Sequence, residues 1–566
     1  MLALAAVAFA LGAIVGANRG ASASTSLASQ FVAAWTHGEY STMYADIDAA
    51  ARRDISPSEF AALYGQALRA ASATRLAVAG PTHAAGASQT VPVKVTTRLF
   101  GTLPLDFVLS VQDTGEGPRV RWSRSLEFPG MRPGERLSRH TMLPRRAALL
   151  GHEGGVLAEG DAEAGGEVVR TSPLGESARA VVGTVGPAPA ARAASLEAEG
   201  VPAGASVGLS GLERALDGRL RGTLGGALLA GTRVLAYAAP RAAAAVRTTV
   251  SPALQSAAVT ALGGRLGGVV VMRPSGEILA VAGIGLEGLQ PPGSTFKMIT
   301  LTGALEAHVA TPRTVFPYAS YATLDGVKLS NANGENCGGS LELAFATSCN
   351  SVFTPLGVKL GAPRLVAAAE RFGFNQPPAI SGAATSTLPA ASRIQGELAL
   401  GSTAIGQGQV LATPLEMATV AATIADGGRR PRVSFLAGES GTPVPVTSAA
   451  VASTVRRLMI GVVRQGTGTS AAIPGVTVAG KTGTAELKTP CTSSTEASSS
   501  EPGSSEKSSC AREGEASNTD AWFAAFAPAL HPRVVVCVML VKDGAGGETA
   551  APAAREVLET GLRVVR

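Results

Sequence analysis

Histidine, lysine and aromatic residues are scarce in this chain of 566 residues. It contains 6 His, 8 Lys beside 40 Arg, and 4% aromatic residues. The histidines have no metal-ligand spacing and the 5 Cys form no Cys-x-x-Cys pair, so we expect no metal and no other cofactor. Because the net charge is only +6 and no basic stretch is interleaved with aromatics, we expect no nucleic-acid partner.

The length and composition indicate a globular protein of several domains. A chain of 566 residues corresponds to three or four domains of ordinary size. The 68 Gly and 34 Pro follow no three-residue period, which excludes collagen, and 46% hydrophobic residues exclude wholesale disorder.

The first 17 residues contain no charged side chain, and Arg19 follows the apolar run. This length is the lower limit for crossing a bilayer, so residues 1–19 are predicted to be an uncleaved membrane anchor. A signal peptide cleaved near Ala21-Ser22-Ala23 and a buried core helix are the alternatives. The missing basic flank is also consistent with a natural start that lies upstream. We therefore expect a single-pass membrane protein in which everything after Arg19 lies outside the cytoplasm.

Residues 25–130 are predicted to form a small α+β domain. Ser56, Pro57 and Glu59 have the order of a helix N-cap, a first helical residue and the partner of a capping box. Strands are expected over 90–100 and 105–112, and the strong alternation predicts a third over 120–128. This domain is interpreted as a spacer with its own core.

Two further regions follow. Residues 131–245 are rich in Gly and Ala and indicate an extended platform. Residues 246–566 begin with a predicted hairpin, 267–282, and contain long apolar helices and a late strand pair, 521–527 and 534–541. Within them, 489–517 is packed with Ser, Glu and Gly and is predicted to be a solvated loop.

A Ser-x-x-Lys pattern opens a predicted apolar helix. Ser294 and Lys297 lie on one face of that helix, and burial among apolar neighbours would lower the pKa of Lys297 so that its amine acts as a base. About one such pattern is expected by chance, and Ser504-x-x-Lys507 also fits. The second pattern lies in the polar loop, where nothing apolar would desolvate its lysine.

Two later patterns strengthen this interpretation. Ser348-Cys349-Asn350 follows a predicted helix, where an ordinary helix cap is the alternative. Lys481-Thr482-Gly483-Thr484 follows a strand-like segment, with a lysine as a fixed cation and a glycine that permits close backbone approach.

The three patterns, in this order, resemble those of the penicillin-binding proteins and serine β-lactamases. Residues 406–417 and 520–528 also look like family segments near the site. The resemblance implies a multidomain α+β fold: a serine β-lactamase/transpeptidase-like C-terminal domain with an antiparallel sheet flanked by helices, an extended pedestal, and a cone-shaped nuclear-transport-factor-like N-terminal domain. The pedestal's usual motif is altered, because Arg146 is followed by Ala147 and Ala148.

By this resemblance the chain is a class B peptidoglycan D,D-transpeptidase that is acylated by β-lactams. It implies Ser294 as nucleophile, Lys297 as base, and Ser348, Asn350 and Lys481 as further catalytic residues. Thr482, Gly483 and Thr484 would bind substrate. The implied partners are peptidoglycan stem peptides, β-lactams, the membrane, and proteins of cell-wall elongation or division. A D,D-carboxypeptidase, a β-lactamase and a non-catalytic β-lactam sensor or divisome scaffold are the alternatives.

The cysteines outside these roles give separate expectations. Cys491 and Cys510 bracket the Ser-rich loop and are predicted to form a disulfide, with two free thiols as the alternative. Cys337 and Cys349 are a second candidate pair. Cys537 lies in an apolar strand, where a buried free thiol is expected.

Overall fold

The structure is a computed structural model, and it describes residues 23–115, 117–160, 170–439, 441–487 and 518–565. The predicted anchor at 1–19 lies outside the described residues, as do the Ser-rich loop and the proposed Cys491–Cys510 pair. Within the described ranges, no helix combines the length and the apolar character needed to cross a bilayer.

The N-terminal region packs four helices against a five-stranded antiparallel sheet of order β1-β3-β4-β5, with β2 beside β3. The helices are α1 Ala23–His37, α2 Tyr40–Asp46, α3 Ala49–Asp54 and α4 Pro57–Ala70; the strands are β1 Ala73–Val78, β2 His83–Ala85, β3 Ser88–Thr97, β4 Gly101–Thr114 and β5 Gly117–Val120.

The start of α4 is as predicted, because the Ser56 hydroxyl accepts a hydrogen bond from the N–H of Glu59. The strand predicted over 120–128 is wrong. The chain leaves the sheet at Val120 and forms a 3₁₀ turn at Arg124–Leu126. The side chain of Asp48 accepts the N–H of Trp122 at 3.0 Å, so a carboxylate replaces the next strand partner.

The middle region consists of short elements that connect the two ends of the molecule. Its strands are β6 Leu137–Met142, β7 Leu149–Leu150, β8 Val156–Ala158, β9 Val185–Pro187, β10 Ser206–Gly208, β11 Gly225–Ala230, β12 Arg233–Ala238 and β13 Val246–Arg247; its helices are α5 Glu176–Val182, α6 Ala190–Ala198, α7 Gly211–Ala215 and α8 Asp217–Leu220. Leu228 of β11 is fully buried in the core of the N-terminal region, so the two regions share a core.

Buried ion pairs hold this middle region together. Arg146 donates to Glu213 at 2.6 Å and to Asp217 at 3.0 Å, and Arg170 donates to the other carboxylate oxygen of Glu213 at 2.7 Å. Arg146 therefore forms buried ion pairs even though the sequence that follows it is altered.

The C-terminal region is a three-layer structure around a five-stranded antiparallel sheet of order β15-β14-β24-β23-β22. Its strands are β14 Gly267–Met272, β15 Ile278–Gly283, β16 Val315–Ala319, β17 Tyr321–Leu324, β18 Val327–Ser330, β19 Cys337–Ser340, β20 Arg429–Arg430, β21 Val444–Pro445, β22 Ala479–Glu486, β23 Thr519–Ala527 and β24 Val534–Leu540. Its helices are α9 Pro252–Leu262, α10 Lys297–Glu306, α11 Leu341–Ala346, α12 Asn350–Leu360, α13 Ala362–Phe372, α14 Gly396–Ala404, α15 Pro414–Ala425, α16 Ala449–Gln465 and α17 Ala551–Val564.

Every residue of β23 and β24 is buried, because both faces of the sheet are covered. Helices α9 and α17 cover one face, and α15 and α16 lie on the other with α10 behind them. The predicted hairpin of β14 and β15, the late strand pair and the overall α+β class are confirmed.

Candidate active site

The Ser-x-x-Lys segment begins helically, but with one tight turn before the α-helix. Residues Gly293–Phe296 form a 3₁₀ turn, and α10 continues from Lys297. Phe296 and Met298 are fully buried, whereas Ser294 is half-buried. Among the described residues the Ser294 hydroxyl has no hydrogen-bond partner, so it is available to react.

The amine of Lys297 is fully buried and makes two short hydrogen bonds. It donates to the carbonyl oxygen of Ser348 and to Oδ1 of Asn350, each at 2.7 Å, with the Ser348 hydroxyl at 3.3 Å. Burial, and secondarily the nearby charge of Lys481, hold the pKa of Lys297 well below its ordinary value. A neutral amine has two hydrogens and one lone pair. The two short bonds use both hydrogens, so the lone pair is left to accept a proton.

The second lysine of the site, Lys481, comes from the edge strand β22. Its amine donates to the Ser348 hydroxyl at 2.8 Å and to the carbonyl of Thr482 at 3.2 Å. Burial lowers the pKa of Lys481 to about 7. The Ser348 hydroxyl thus bridges the two lysines and can pass a proton between them.

The segment that carries Ser348 and Asn350 is held in an unusual turn between α11 and α12. Ser348 has φ of 60°, in the left-handed region. The Nδ2 group of Asn350 donates to the carbonyl of Ser330 at 2.8 Å, which fixes the orientation of the amide oxygen, Oδ1, toward Lys297. A disulfide between Cys349 and Cys337 ties the turn to β19, which confirms the second candidate pair. The expected buried free thiol of Cys537 is also confirmed.

Strand β22 and the Ser294 turn meet backbone to backbone. Gly293 has φ of 51°, and a Cβ there would lie 2.8 Å from the carbonyl oxygen of Thr484. A Cβ on Gly483 would lie 2.7 Å from the carbonyl of Pro292, and one on Gly406 would lie 2.2 Å from the carbonyl of Gly293. These close approaches need glycine, and they place Ser294 directly beside β22.

The hydroxyls of the two threonines in β22 have fixed partners. Thr482 shares a hydrogen bond of 2.5 Å with Thr467, and Thr484 accepts the N–H of Gly546 at 3.2 Å. All eight predicted site residues therefore lie in one place: Ser294 and Lys297 on the first turns of a helix, Ser348 and Asn350 opposite them, and 481–484 on the adjoining strand.

Sequence reasoning missed the side chains that enclose the lysines. Lys297 lies over the ring of Phe353 and Lys481 over the ring of Phe345, each 5.5 Å from the ring centre. Two aromatics flanking Ser348 could have indicated this, since such rings attract cations and exclude water. The carbonyl of Ser330 and the hydroxyl of Thr467 had no signal in the sequence.

Three family models match the chain in succession. They are the NTF2-like N-terminal transpeptidase domain over residues 23–135, the penicillin-binding protein dimerisation domain over 162–230, and the penicillin-binding protein transpeptidase domain over 267–559.

Curated relatives and solved structures are similar to the same regions. Peptidoglycan D,D-transpeptidase PbpA of Mycolicibacterium smegmatis is 34% identical over 430 residues, 62% of this chain and 80% of that protein. PbpA of Mycobacterium tuberculosis is 38% identical over 301 residues, 48% of this chain and 55% of that protein. The D,D-transpeptidase domain of a peptidoglycan glycosyltransferase from Eggerthella lenta is 32% identical, with a TM-score of 0.57 over 74% of this chain and 98% of that one. An imipenem acyl-enzyme complex of M. tuberculosis penicillin-binding protein A is 29% identical, with a TM-score of 0.56 and the same coverage.

Proposed function

Because this chain belongs to the penicillin-binding proteins that carry a transpeptidase domain, we propose that it is a peptidoglycan D,D-transpeptidase that works through an acyl-enzyme on Ser294. Ser294 attacks the carbonyl of the penultimate D-Ala of a stem peptide, and the terminal D-Ala leaves. The amine of a second stem then attacks the ester, which forms the cross-link and releases Ser294. β-Lactams acylate the same hydroxyl.

The observation that carries this proposal is the hydrogen bonding of Lys297. Its two short bonds to Ser348 and Asn350 leave one lone pair, three residues along the helix from Ser294. A lysine whose pKa is lowered by burial is neutral at a pH where an exposed lysine is charged, so it can take the Ser294 proton.

The return of the proton to the leaving group is assigned to Ser348 and Lys481. The Ser348 hydroxyl lies 2.8 Å from the amine of Lys481 and 3.3 Å from that of Lys297. Ser348 protonates the departing D-Ala amine and recovers a proton from Lys481. The proton that Lys297 took from Ser294 then passes through the Ser348 hydroxyl to Lys481, so both lysines regain their starting protonation states.

Substrate binding is assigned to β22. Lys481, Thr482 and Thr484 would hold the terminal carboxylate of the stem peptide or of a β-lactam, with Gly483 allowing close approach and Asn350 binding the peptide amide. By family resemblance, the backbone N–H groups of Ser294 and Thr484 form the oxyanion hole. Removing one such donor costs roughly 3 kcal/mol of transition-state stabilisation.

The placement of the enzyme in the cell follows from the same proposal. We assign residues 1–19 as a membrane anchor, with everything after them outside the cytoplasm, where stem peptides are cross-linked. Proteins of cell-wall elongation or division are the expected partners there. The three regions 25–130, 131–245 and 246–566 are assigned as cone, pedestal and transpeptidase domain.

Acylation by a fluorescent penicillin tests the proposal. The protein without residues 1–22 should form a long-lived adduct, visible by intact mass, that disappears in Ser294→Ala. Ser504→Ala is the matched control, because it removes the other Ser-x-x-Lys serine and should leave labelling unchanged. An undiminished adduct in Ser294→Ala would contradict the assignment.

The same assay separates the alternative activities. Fast release of the adduct would indicate a β-lactamase, and absence of labelling would indicate a non-catalytic scaffold. A stem peptide that loses D-Ala to water without forming cross-links, even with acceptor present, would indicate a D,D-carboxypeptidase.

A further inference from the structure

Thr467 lies between two parts of the candidate active site, although no sequence pattern singled it out. It follows α16, and its N–H donates at 3.0 Å to the carbonyl of Ala346, which lies two residues before Ser348. Its hydroxyl shares a hydrogen bond of 2.5 Å with the hydroxyl of Thr482 on β22. Thr467 therefore joins the turn that carries Ser348 to the strand that carries Lys481.

Close backbone contacts hold Thr467 in this position. A Cβ on Gly466 would lie 2.1 Å from the carbonyl oxygen of Ala346, and a Cβ on Gly547 would lie 2.2 Å from the carbonyl oxygen of Thr467. Both approaches require glycine, because a side chain at either place would push the two backbones apart. The backbone that carries the Thr467 hydroxyl is thus fixed on two sides.

The two hydrogen-bonded threonines differ in their exposure. Thr482 is only 4% exposed, whereas Thr467 is an exposed residue. The methyl group of Thr482 also lies against Gly547, at 3.8 Å from the position of a Cβ on that glycine. A ligand in the cleft beside β22 therefore meets the side chain of Thr467, whereas Thr482 offers it almost no accessible surface.

This difference sets the direction of the hydrogen bond that the two hydroxyls share. Among the described residues the Thr482 hydroxyl has no other partner, so if it accepted, its own hydrogen would be buried without an acceptor. Thr482 therefore donates to Thr467. The other acceptor that the described ranges offer to the Thr467 hydroxyl is the carbonyl of Ala346, at 3.5 Å and already bound to the Thr467 N–H. The hydrogen of Thr467 is thus available to a ligand, and accepting a bond from Thr482 makes it a stronger donor.

The surroundings of Thr467 favour an anionic group as the acceptor. Lys481 precedes Thr482 along β22, and its amine donates to the Ser348 hydroxyl at 2.8 Å. In the part of the chain that the structure describes, no carboxylate side chain pairs with Lys481 or with either threonine. A hydroxyl that donates to a carboxylate forms one of the stronger kinds of hydrogen bond, and a nearby cation adds to it.

We propose that Thr467 is a further substrate-binding residue, whose hydroxyl donates to the terminal carboxylate of the stem peptide or of a β-lactam. Thr482 is then a positioning residue that acts through Thr467. The inference rests on the proposed function, because that function brings a substrate with a terminal carboxylate into the cleft. It moves the hydroxyl contact from a buried threonine to the exposed threonine that covers it.

The second-order rate constants of acylation by benzylpenicillin and by its methyl ester test this inference. Thr467→Val keeps the shape of the side chain but removes the donor, so the rate constant for benzylpenicillin should fall about tenfold or more. The ester has no carboxylate, and its rate constant should change by less than about threefold. Thr467→Ser should restore the rate with benzylpenicillin, and Thr469→Val, at an exposed threonine two residues further along, is the matched control. Equal losses for acid and ester, or no loss for either, would overturn the inference.

Variants of Thr482 show which hydroxyl contacts the carboxylate. Thr482→Val should lower the rate constant for benzylpenicillin only about two- to fivefold, and the double variant should match Thr467→Val alone, because Thr482 acts through Thr467. A larger loss in Thr482→Val than in Thr467→Val, or losses that multiply, would overturn the inference. Thr467→Ala is a second variant without the donor, and circular dichroism checks the folding of each protein. A failure of the proposed function would show differently, as a missing penicillin adduct on Ser294 of the wild-type protein.

Discussion

Buried basic side chains occur in two parts of this molecule, and their hydrogen-bond partners differ. In the middle region Arg146 and Arg170 are bonded to Glu213, and Arg146 also to Asp217. In the active site the two buried lysines have neutral acceptors instead: a carbonyl, an amide oxygen and a hydroxyl.

The difference shows how the protein separates stability from reactivity. Carboxylate partners keep the arginines charged and make them structural, because breaking a buried ion pair leaves an uncompensated charge. Neutral partners let the lysines lose their protons, since desolvation penalises the charged form and, among the described residues, no carboxylate pairs with either amine to oppose it. The sequence predicted the lowered pKa of Lys297, but it could not reveal the partners of either group, because those partners lie far along the chain.

Lys297→Arg is the strongest way to test this contrast. Arginine keeps a positive charge at every accessible pH, as the buried arginines of the middle region do. The substitution therefore removes the neutral amine that acts as the base. We expect the acylation rate by penicillin to fall about 10²- to 10⁴-fold. Stopped-flow or quenched labelling measures the rate, with circular dichroism as the check on folding; a rate equal to wild type would exclude Lys297 as the base.

Glu213→Gln tests the other side of the comparison. It leaves Arg146 and Arg170 buried with less compensation, so the free energy of unfolding should fall by about 3–5 kcal/mol. Acylation of the folded fraction should stay within a few-fold. Glu199→Gln is the matched control, since Glu199 is 47% exposed in its pair with Arg221 and should change stability by less than about 1 kcal/mol. Equal effects of the two variants would contradict the structural role of the cluster.

Removing the disulfide extends the comparison of the two regions. The turn at Ser348 is held by a covalent bond, whereas the middle region is held by ion pairs. Cys337→Ser with Cys349→Ser opens a loop of 12-residue separation and should lower the free energy of unfolding by about 3 kcal/mol. Acylation should slow several-fold, since Ser348 and Asn350 orient Lys297. Chemical denaturation measures the stability of the double variant and of the control Cys537→Ala, which has no disulfide to lose. Equal stability of the double variant and the wild-type protein would show that the bridge does not stabilise the turn.

The smallest expected effect, taken per pH unit, is a pH dependence of stability from Lys481. Its pKa of about 7 in the folded protein is below the ordinary 10.5, so the unfolded chain binds more protons between these values. Stability should therefore rise with pH from about 7 to 10, with a slope contribution of up to about 1.4 kcal/mol per pH unit. Lys481→Met should lose this contribution, whereas the exposed Lys328→Met should keep it; identical slopes for all three proteins would contradict the lowered pKa.

Much of the site was predictable because its residues lie in short local patterns. The helix start at Ser294, the turn at Ser348 and the strand at Lys481 each have a signature within four residues. The strand predicted over 120–128 from its alternating hydrophobic pattern does not form. Its backbone finds another partner there, because the carboxylate of Asp48, more than 70 residues away, accepts the N–H of Trp122. Contacts such as Asn350 to Ser330, and Thr482 to Thr467, are likewise tertiary and leave no periodic trace.

The backbone contacts of Gly293, Gly406 and Gly483 also limit how this enzyme can evolve under antibiotic selection. The backbone contacts that set the position of Ser294 involve no side chain at these three glycines. Any added Cβ would lie 2.2–2.8 Å from a carbonyl oxygen, so every substitution there causes a severe clash rather than a small shift of Ser294. Gradual adaptation is confined to positions that do carry side chains, such as Phe345, Phe353 and Thr467. Variants selected by β-lactams should accumulate there, and the three glycines should stay unchanged.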